Sequence, residues 1–178
     1  MDFKSRIISQ LQLEGDLCLS ASNYFKEPLT YIEKAVDLIT DATLNALTGQ
    51  FENLEKTDEM FKIGKECSVL RFKDFFGPDL YIVQKGRGIN SEIFGVKLVH
   101  TIDEIAKEAN VRNKTINFLM ASTTPAILSL LHKLNEEKKF NPIDLFNQLK
   151  AKDLATKKAK KYAKTLTRYT KGLLKRTK

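Results

Sequence analysis

The chain has 178 residues, of which 42% are apolar and 29% charged, and carries a net charge of +8. That is enough to bury a core without metal or disulfide staples, and the composition excludes a disordered polyelectrolyte. Two separated cysteines, Cys18 and Cys67, and two lone histidines, His100 and His132, form neither a CxxC redox pair nor a four-ligand zinc cluster. The sequence therefore predicts reduced thiols, no metal, no cofactor and no catalytic residue. Met1-Asp2-Phe3-Lys4-Ser5-Arg6 lacks the basic-then-apolar layout of a signal peptide. The apolar runs at 118–121 and 126–131 fall far short of the roughly 20 residues that cross a bilayer. The expectation is a cytoplasmic protein.

Charge is unevenly placed. Residues 151–178 hold 11 Lys/Arg against a single acid, Asp153, for a net of +10, which leaves residues 1–150 at −2. This asymmetry sets the predicted boundary between a helical domain over 1–150 and a basic amphipathic helix over 151–178.

Helical spacing of Phe3, Ile7, Ile8 and Leu11 predicts a short amphipathic helix over 3–12, broken at Gly15. A second short helix spans 16–25. A long one follows over 28–48, with Pro28 in its first turn, Thr30 and Glu33 at capping-box spacing, and Gly49 placed as a left-handed stop. A shorter helix near 57–66 turns Met60, Phe61 and Ile63 inward. Its acids Glu52, Glu55, Asp58, Glu59 and Glu66 alternate with Lys56, Lys62 and Lys65, as on a solvated face.

Residues 68–90 read as loop and helical turns. The β propensity of residues 80–83 after Gly77-Pro78-Asp79 makes a hairpin the alternative. Within that stretch Gln84-Lys85-Gly86-Arg87-Gly88-Ile89-Asn90 reads as a turn; it lacks P-loop and dinucleotide-binding spacing, although its glycines and cations suit an anion. Thr101 and Glu104 open a helix through 109 by capping-box spacing. A second long helix covers 113–137, with a kink or break expected at Pro125. The hydroxyls of Ser122, Thr123 and Thr124 suit carbonyls freed by that proline better than catalysis, since a nucleophile needs a base and His132 is two turns away. Asn141-Pro142 starts a helix over 142–150 carrying Ile143, Leu145, Phe146 and Leu149.

The order short helix, long apolar helix, charged turn, short helix occurs twice. Glu59-Met60-Phe61 echoes Asp144-Leu145-Phe146, and Leu44-Asn45-Ala46-Leu47 aligns with Ile127-Leu128-Ser129-Leu130. The expected fold class is all-α: a multihelical domain of two similar halves, each a long apolar helix flanked by short ones, plus the basic C-terminal helix.

Over residues 93–149 the chain resembles the YidB-like bacterial domain family. The resemblance is carried by Ile93-Phe94-Gly95, Ile105-Ala106-Lys107, Asn110-Val111, Thr124-Pro125-Ala126-Ile127-Leu128-Ser129-Leu130-Leu131 and Ile143-Asp144-Leu145-Phe146. The chain departs from that family at Ser129 and His132, where small residues are usual. The resemblance implies an all-α, two-fold-repeated fold; it brings no activity and transfers no site residue.

In the tail, Ala155, Ala159, Tyr162, Leu166, Tyr169 and Leu173 follow a 4-3-4-3-4 spacing, the seam of one helical face. Lys157, Lys158, Lys160, Lys161, Lys164, Arg168, Lys171, Lys175 and Arg176 cover the remainder of a helix about 30 Å long. Four readings stand side by side. The seam packs on the domain or on another copy; the cations neutralise nucleic-acid phosphates, with Tyr162 and Tyr169 available for stacking; the helix lies on an anionic membrane surface, for which it lacks Trp and Phe; or it docks on an acidic protein. The function expected from sequence is a non-enzymatic binding or scaffold module whose tail attaches to an anionic partner, nucleic acid foremost. Self-association as a homo-oligomer is the runner-up, a membrane surface comes behind, and no small-molecule substrate is implied.

Overall fold

The structure is a computed structural model that describes residues 7–9, 17–50, 53–67, 80–137 and 147. Helix α1 spans Leu17–Phe25, α2 Leu29–Gln50, α3 Leu54–Cys67 and α4 Leu80–Phe94; a 3-10 turn, Gly95–Lys97, leads into α5, Leu98–Ala109, and α6 covers Asn113–Glu136. No strand occurs among the described residues, so the chain is all-α there. Residues 7–9 are helical, with Ile7 buried, in agreement with a helix over 3–12. Asn147 is helical as well; the rest of the helix expected over 142–150 and the whole of 151–178 lie outside the described residues.

Helix α6 is the centre of the fold, with α2, α3, α4 and α5 all packed on it. Every residue from 119 to 125 is buried. Such enclosure requires small side chains, which Ala121, Ser122, Thr123 and Thr124 supply. Ser122 donates to the Leu119 carbonyl at 2.9 Å and Thr124 lies 3.4 Å from the Thr43 hydroxyl, while the Thr123 hydroxyl is buried without a hydrogen-bond partner. Thr40 likewise donates to the Val36 carbonyl at 2.8 Å.

Two glycines set how closely the neighbours approach. A Cβ on Gly64 of α3 would fall 2.4 Å from the Leu128 carbonyl oxygen, and one on Gly86 of α4 would fall 1.9 Å from the Ala121 carbonyl oxygen. The Ala121 carbonyl is the one that loses its helical donor to Pro125, four residues on. The α-hydrogen of Gly86 thus points at an acceptor freed by a proline, a weak C–H···O contact at a helix crossing.

This contact explains the main departure from the sequence reading. The segment Gln84–Asn90 is the interior of α4, not a turn; of the loop and helical turns, or hairpin, expected over 68–90, residues 68–79 lie outside the described residues and residues 80–90 are α-helix. Gly86 interrupts no helix; it admits one. Other corrections concern helix ends. Thr30 and Thr101 lie inside α2 and α5, and Thr101 donates to the Lys97 carbonyl at 2.9 Å, so neither serves as a cap. Gly49 is helical rather than a left-handed stop, and α6 runs unbroken through Pro125.

Gly95 (φ 53°) follows the end of α4, and two further helices stop at left-handed residues that are not glycine, Lys26 (φ 57°) and Asn110 (φ 59°), 84 positions apart. Each ends a short helix by the same pattern. The Glu27 N–H returns to the Ser22 carbonyl at 3.3 Å, and the Val111 N–H to the Ala106 carbonyl at 2.9 Å. Two residues then lead into a long helix whose first N–H groups bond the Pro28 carbonyl in α2 and the Arg112 carbonyl in α6. The burial pattern repeats at the same offset: for each of the eight buried residues of α2, the residue 84 positions on is buried in α6. Ile32 corresponds in this way to Ile116, Thr40 to Thr124 and Leu47 to Leu131.

Candidate functional site

The basic residues Lys157, Lys158, Lys160, Lys161, Lys164, Arg168, Lys171, Lys175 and Arg176, and the seam Ala159, Tyr162, Leu166, Tyr169 and Leu173, lie outside the described residues. The structure describes the body from which that segment departs.

The most organised polar cluster on the body is the corner between the two helix–turn–helix units. Glu27, in the turn before α2, has a side chain only 9% exposed. Its Oε1 accepts from Arg112 Nε at 2.5 Å and from Thr115 Oγ1 at 2.9 Å. Arg112 also donates through Nη2 to the Phe25 carbonyl, which caps the C-terminus of α1 with a positive charge. A second cation makes the reciprocal bond, as Lys34 Nζ of α2 reaches the Glu108 carbonyl near the end of α5 at 2.5 Å. Each unit therefore caps the short helix of the other.

Aromatic rings close the same corner: Phe118 meets Phe25 edge-on at 5.1 Å and Tyr24 face-on at 5.9 Å. Oε2 of Glu27 is buried without a hydrogen-bond partner. A carboxylate held by a guanidinium and a hydroxyl from residues 85 and 88 positions away clasps the turn before α2 to the start of α6. Sequence reasoning missed this cluster, whose partners are 85 residues apart. The one local signal was Asn110, a residue type that tolerates the left-handed region.

Two grooves open on the surface. One, of about 680 Å³, lies between the C-terminal half of α2 and the α4–α5 corner, and its charged lining is mixed: Lys56 and Lys97 with Glu92 and Glu104. The other, of about 420 Å³, follows the α3–α4 seam, where Lys85 pairs with Glu66 at 3.6 Å. Neither is lined by a histidine or a cysteine.

His100 and His132 instead face Glu104 and Glu136 on their own helices at 3.3 and 3.2 Å. Among the described residues no three metal-ligating side chains converge, and no helix is long and apolar enough to cross a membrane. Cys18 is half-buried and Cys67 buried, and neither is in a disulfide. Burial pushes the Cys67 thiol up to about 11; Glu66 adds to the rise and Lys85 opposes it.

No family model, curated protein or solved structure matches this chain.

Proposed function

We propose that the chain is a non-enzymatic binding or scaffold module of the cytoplasm, in which a helical body over 1–150 carries a basic helix over 151–178 to nucleic acid. The observation that carries this reading is the segregation of charge, with a net of +10 in the last 28 residues against −2 in all the rest. Cations at that density displace the counterions condensed on a phosphate backbone, which drives association without base-specific contacts. The mixed charge of both grooves on the body supports placing the anion-binding role in the tail.

The test is retardation of duplex DNA and of RNA by the full chain at low salt. Binding should fall at least tenfold when Lys157, Lys158, Lys160 and Lys161 are all replaced by Gln. No retardation of either nucleic acid by the unaltered chain would end the reading.

The 4-3-4-3-4 spacing favours a second reading, self-association through the seam Ala159, Tyr162, Leu166, Tyr169 and Leu173. Under it, Tyr162→Lys with Leu166→Lys lowers the oligomer mass measured by light scattering; an unchanged mass and melting temperature would reject it.

For the body, we read residues 1–150 as two similar halves, in keeping with the YidB-like resemblance. Support comes from the matched left-handed turns at Lys26 and Asn110, the shared burial pattern of α2 and α6, and the reciprocal caps by Arg112 and Lys34.

A further inference from the structure

We infer that the core binds an internal water where α2, α4 and α6 meet, held by the Asn90 carboxamide and the hydroxyls of Thr43 and Thr124. The inference is independent of nucleic-acid binding and of the two-halves reading.

Buried hydroxyls in this chain are mostly answered by nearby oxygens. Thr40 donates to the Val36 carbonyl, Thr57 to the Asn53 carbonyl, Ser122 to the Leu119 carbonyl and Thr115 to Glu27. Among the described buried residues, only Thr123 and Asn90 have a polar side chain with no partner at all. Asn90 is the more costly case. It is 1% exposed, and both its Nδ2 and its Oδ1 are buried and unpaired. A carboxamide carries two donors and an acceptor oxygen, so dry burial forfeits hydration at both ends.

Helical register places Asn90 in the fold. Val83 packs with Phe118 and Ala121, and Gly86 lies against the Ala121 carbonyl, so α4 advances along α6 in the direction of Thr124. Ile93 and Phe94 border the same groove as Ala42 and Ala46 of α2. Residues 86, 90, 93 and 94 share one face of the helix, which sets Asn90 between those two contacts. Thr124 follows Ala121 by three positions and Thr43 follows Ala42 directly. Their hydroxyls are buried and lie 3.4 Å apart between α2 and α6.

That hydroxyl pair has bonding capacity left. Its separation is long beside the about 2.7–2.8 Å usual for O–H···O, and it engages one of the two hydroxyl protons. A water at this level donates to Asn90 Oδ1 and to one hydroxyl oxygen, and accepts from the other hydroxyl or from Asn90 Nδ2. These are the roughly three hydrogen bonds typical of buried water. The ligand is neutral, because the described buried residues include no charged side chain and an ion would lack a counter-charge. The water ties α4 to the α2–α6 pair one turn beyond Gly86, which has no side chain to hold the helix.

A crystal structure of the full chain tests this directly. It should show an ordered water within hydrogen-bond distance of Asn90 and of the Thr43 or Thr124 hydroxyl. A dry site, or a carboxamide bonded straight to protein groups, would overturn the inference.

Thermal melts of variants give a second measure in solution. Asn90→Leu should lower the melting temperature, because the water loses a partner; an equal or higher value would mean a carboxamide stranded without water. In a chain already carrying Thr43→Val and Thr124→Val, the same substitution should no longer lower it. Equal losses in both backgrounds would contradict a shared water. Where a variant does not fold, the electron density of the parent still decides.

Discussion

Gly86 and Gly88 lie two residues apart on α4 and should respond oppositely to the same substitution. A methyl group at Gly86 meets the Ala121 carbonyl, whereas at Gly88 it meets nothing within 4 Å. Gly86→Ala should cost roughly 1–3 kcal/mol through overpacking. Gly88→Ala should stabilise by up to ~1 kcal/mol through helix propensity. Urea denaturation of the two variants checks the pair, and equal effects would mean that α4 does not cross α6 at Gly86.

The clasp between Glu27 and Arg112 has its own signature. Glu27 is 9% exposed and Arg112 is 51% exposed, so removing either strands a charge that is only partly hydrated. Glu27→Ala and Arg112→Ala should each destabilise by roughly 1–3 kcal/mol, and a double-mutant cycle should recover a coupling of similar size. Additive effects would show that the two side chains do not act together.

Among the elements, the α3–α4 seam supplies a pH dependence. The Cys67 thiol, at the end of α3, is raised from 9.0 to about 11, chiefly by burial. Between those values the unfolded chain gives up this proton and the folded one keeps it. The contribution is therefore fully present below about pH 9 and is lost as pH rises towards about 11. Stability of the parent should drop more steeply than that of Cys67→Ala over this window, as followed by denaturant melts at several pH values. Parallel curves would place Cys67 in contact with water.

The elements also show what one-dimensional patterns convey. Helices α1, α2 and α6 were legible because their apolar residues recur at helical spacing over many turns. Helix α4 was not, since two glycines within three residues read locally as a breaker, and the reason Gly86 is needed there is a carbonyl on a helix 35 positions away, a contact that Gly88 does not share. The caps failed for a related cause. Thr30 and Thr101 have capping-box spacing to Glu33 and Glu104, but the left-handed turn at Lys26 had already reset the start of α2, and a 3-10 turn that of α5. Lys26 carries no sequence signal for that conformation.

For the whole molecule, residues 1–150 are nearly neutral and the last 28 residues hold the excess positive charge. The body was partly legible: its helical class could be read from periodicity, while the Glu27–Arg112 clasp needed three-dimensional proximity. The candidate binding residues were legible only as composition and spacing, because a run of lysines announces its field but not its partner. The two grooves on the described residues carry mixed charge, and residues 1–150 sum to −2.

The most direct test of this division of labour is the affinity of the full chain for duplex DNA, measured by anisotropy across a range of salt concentrations. Neutralisation of several phosphates by the tail predicts a straight line of log K against log salt with a slope on the order of −5. A slope shallower than about −1, or no binding at the lowest salt, would contradict it.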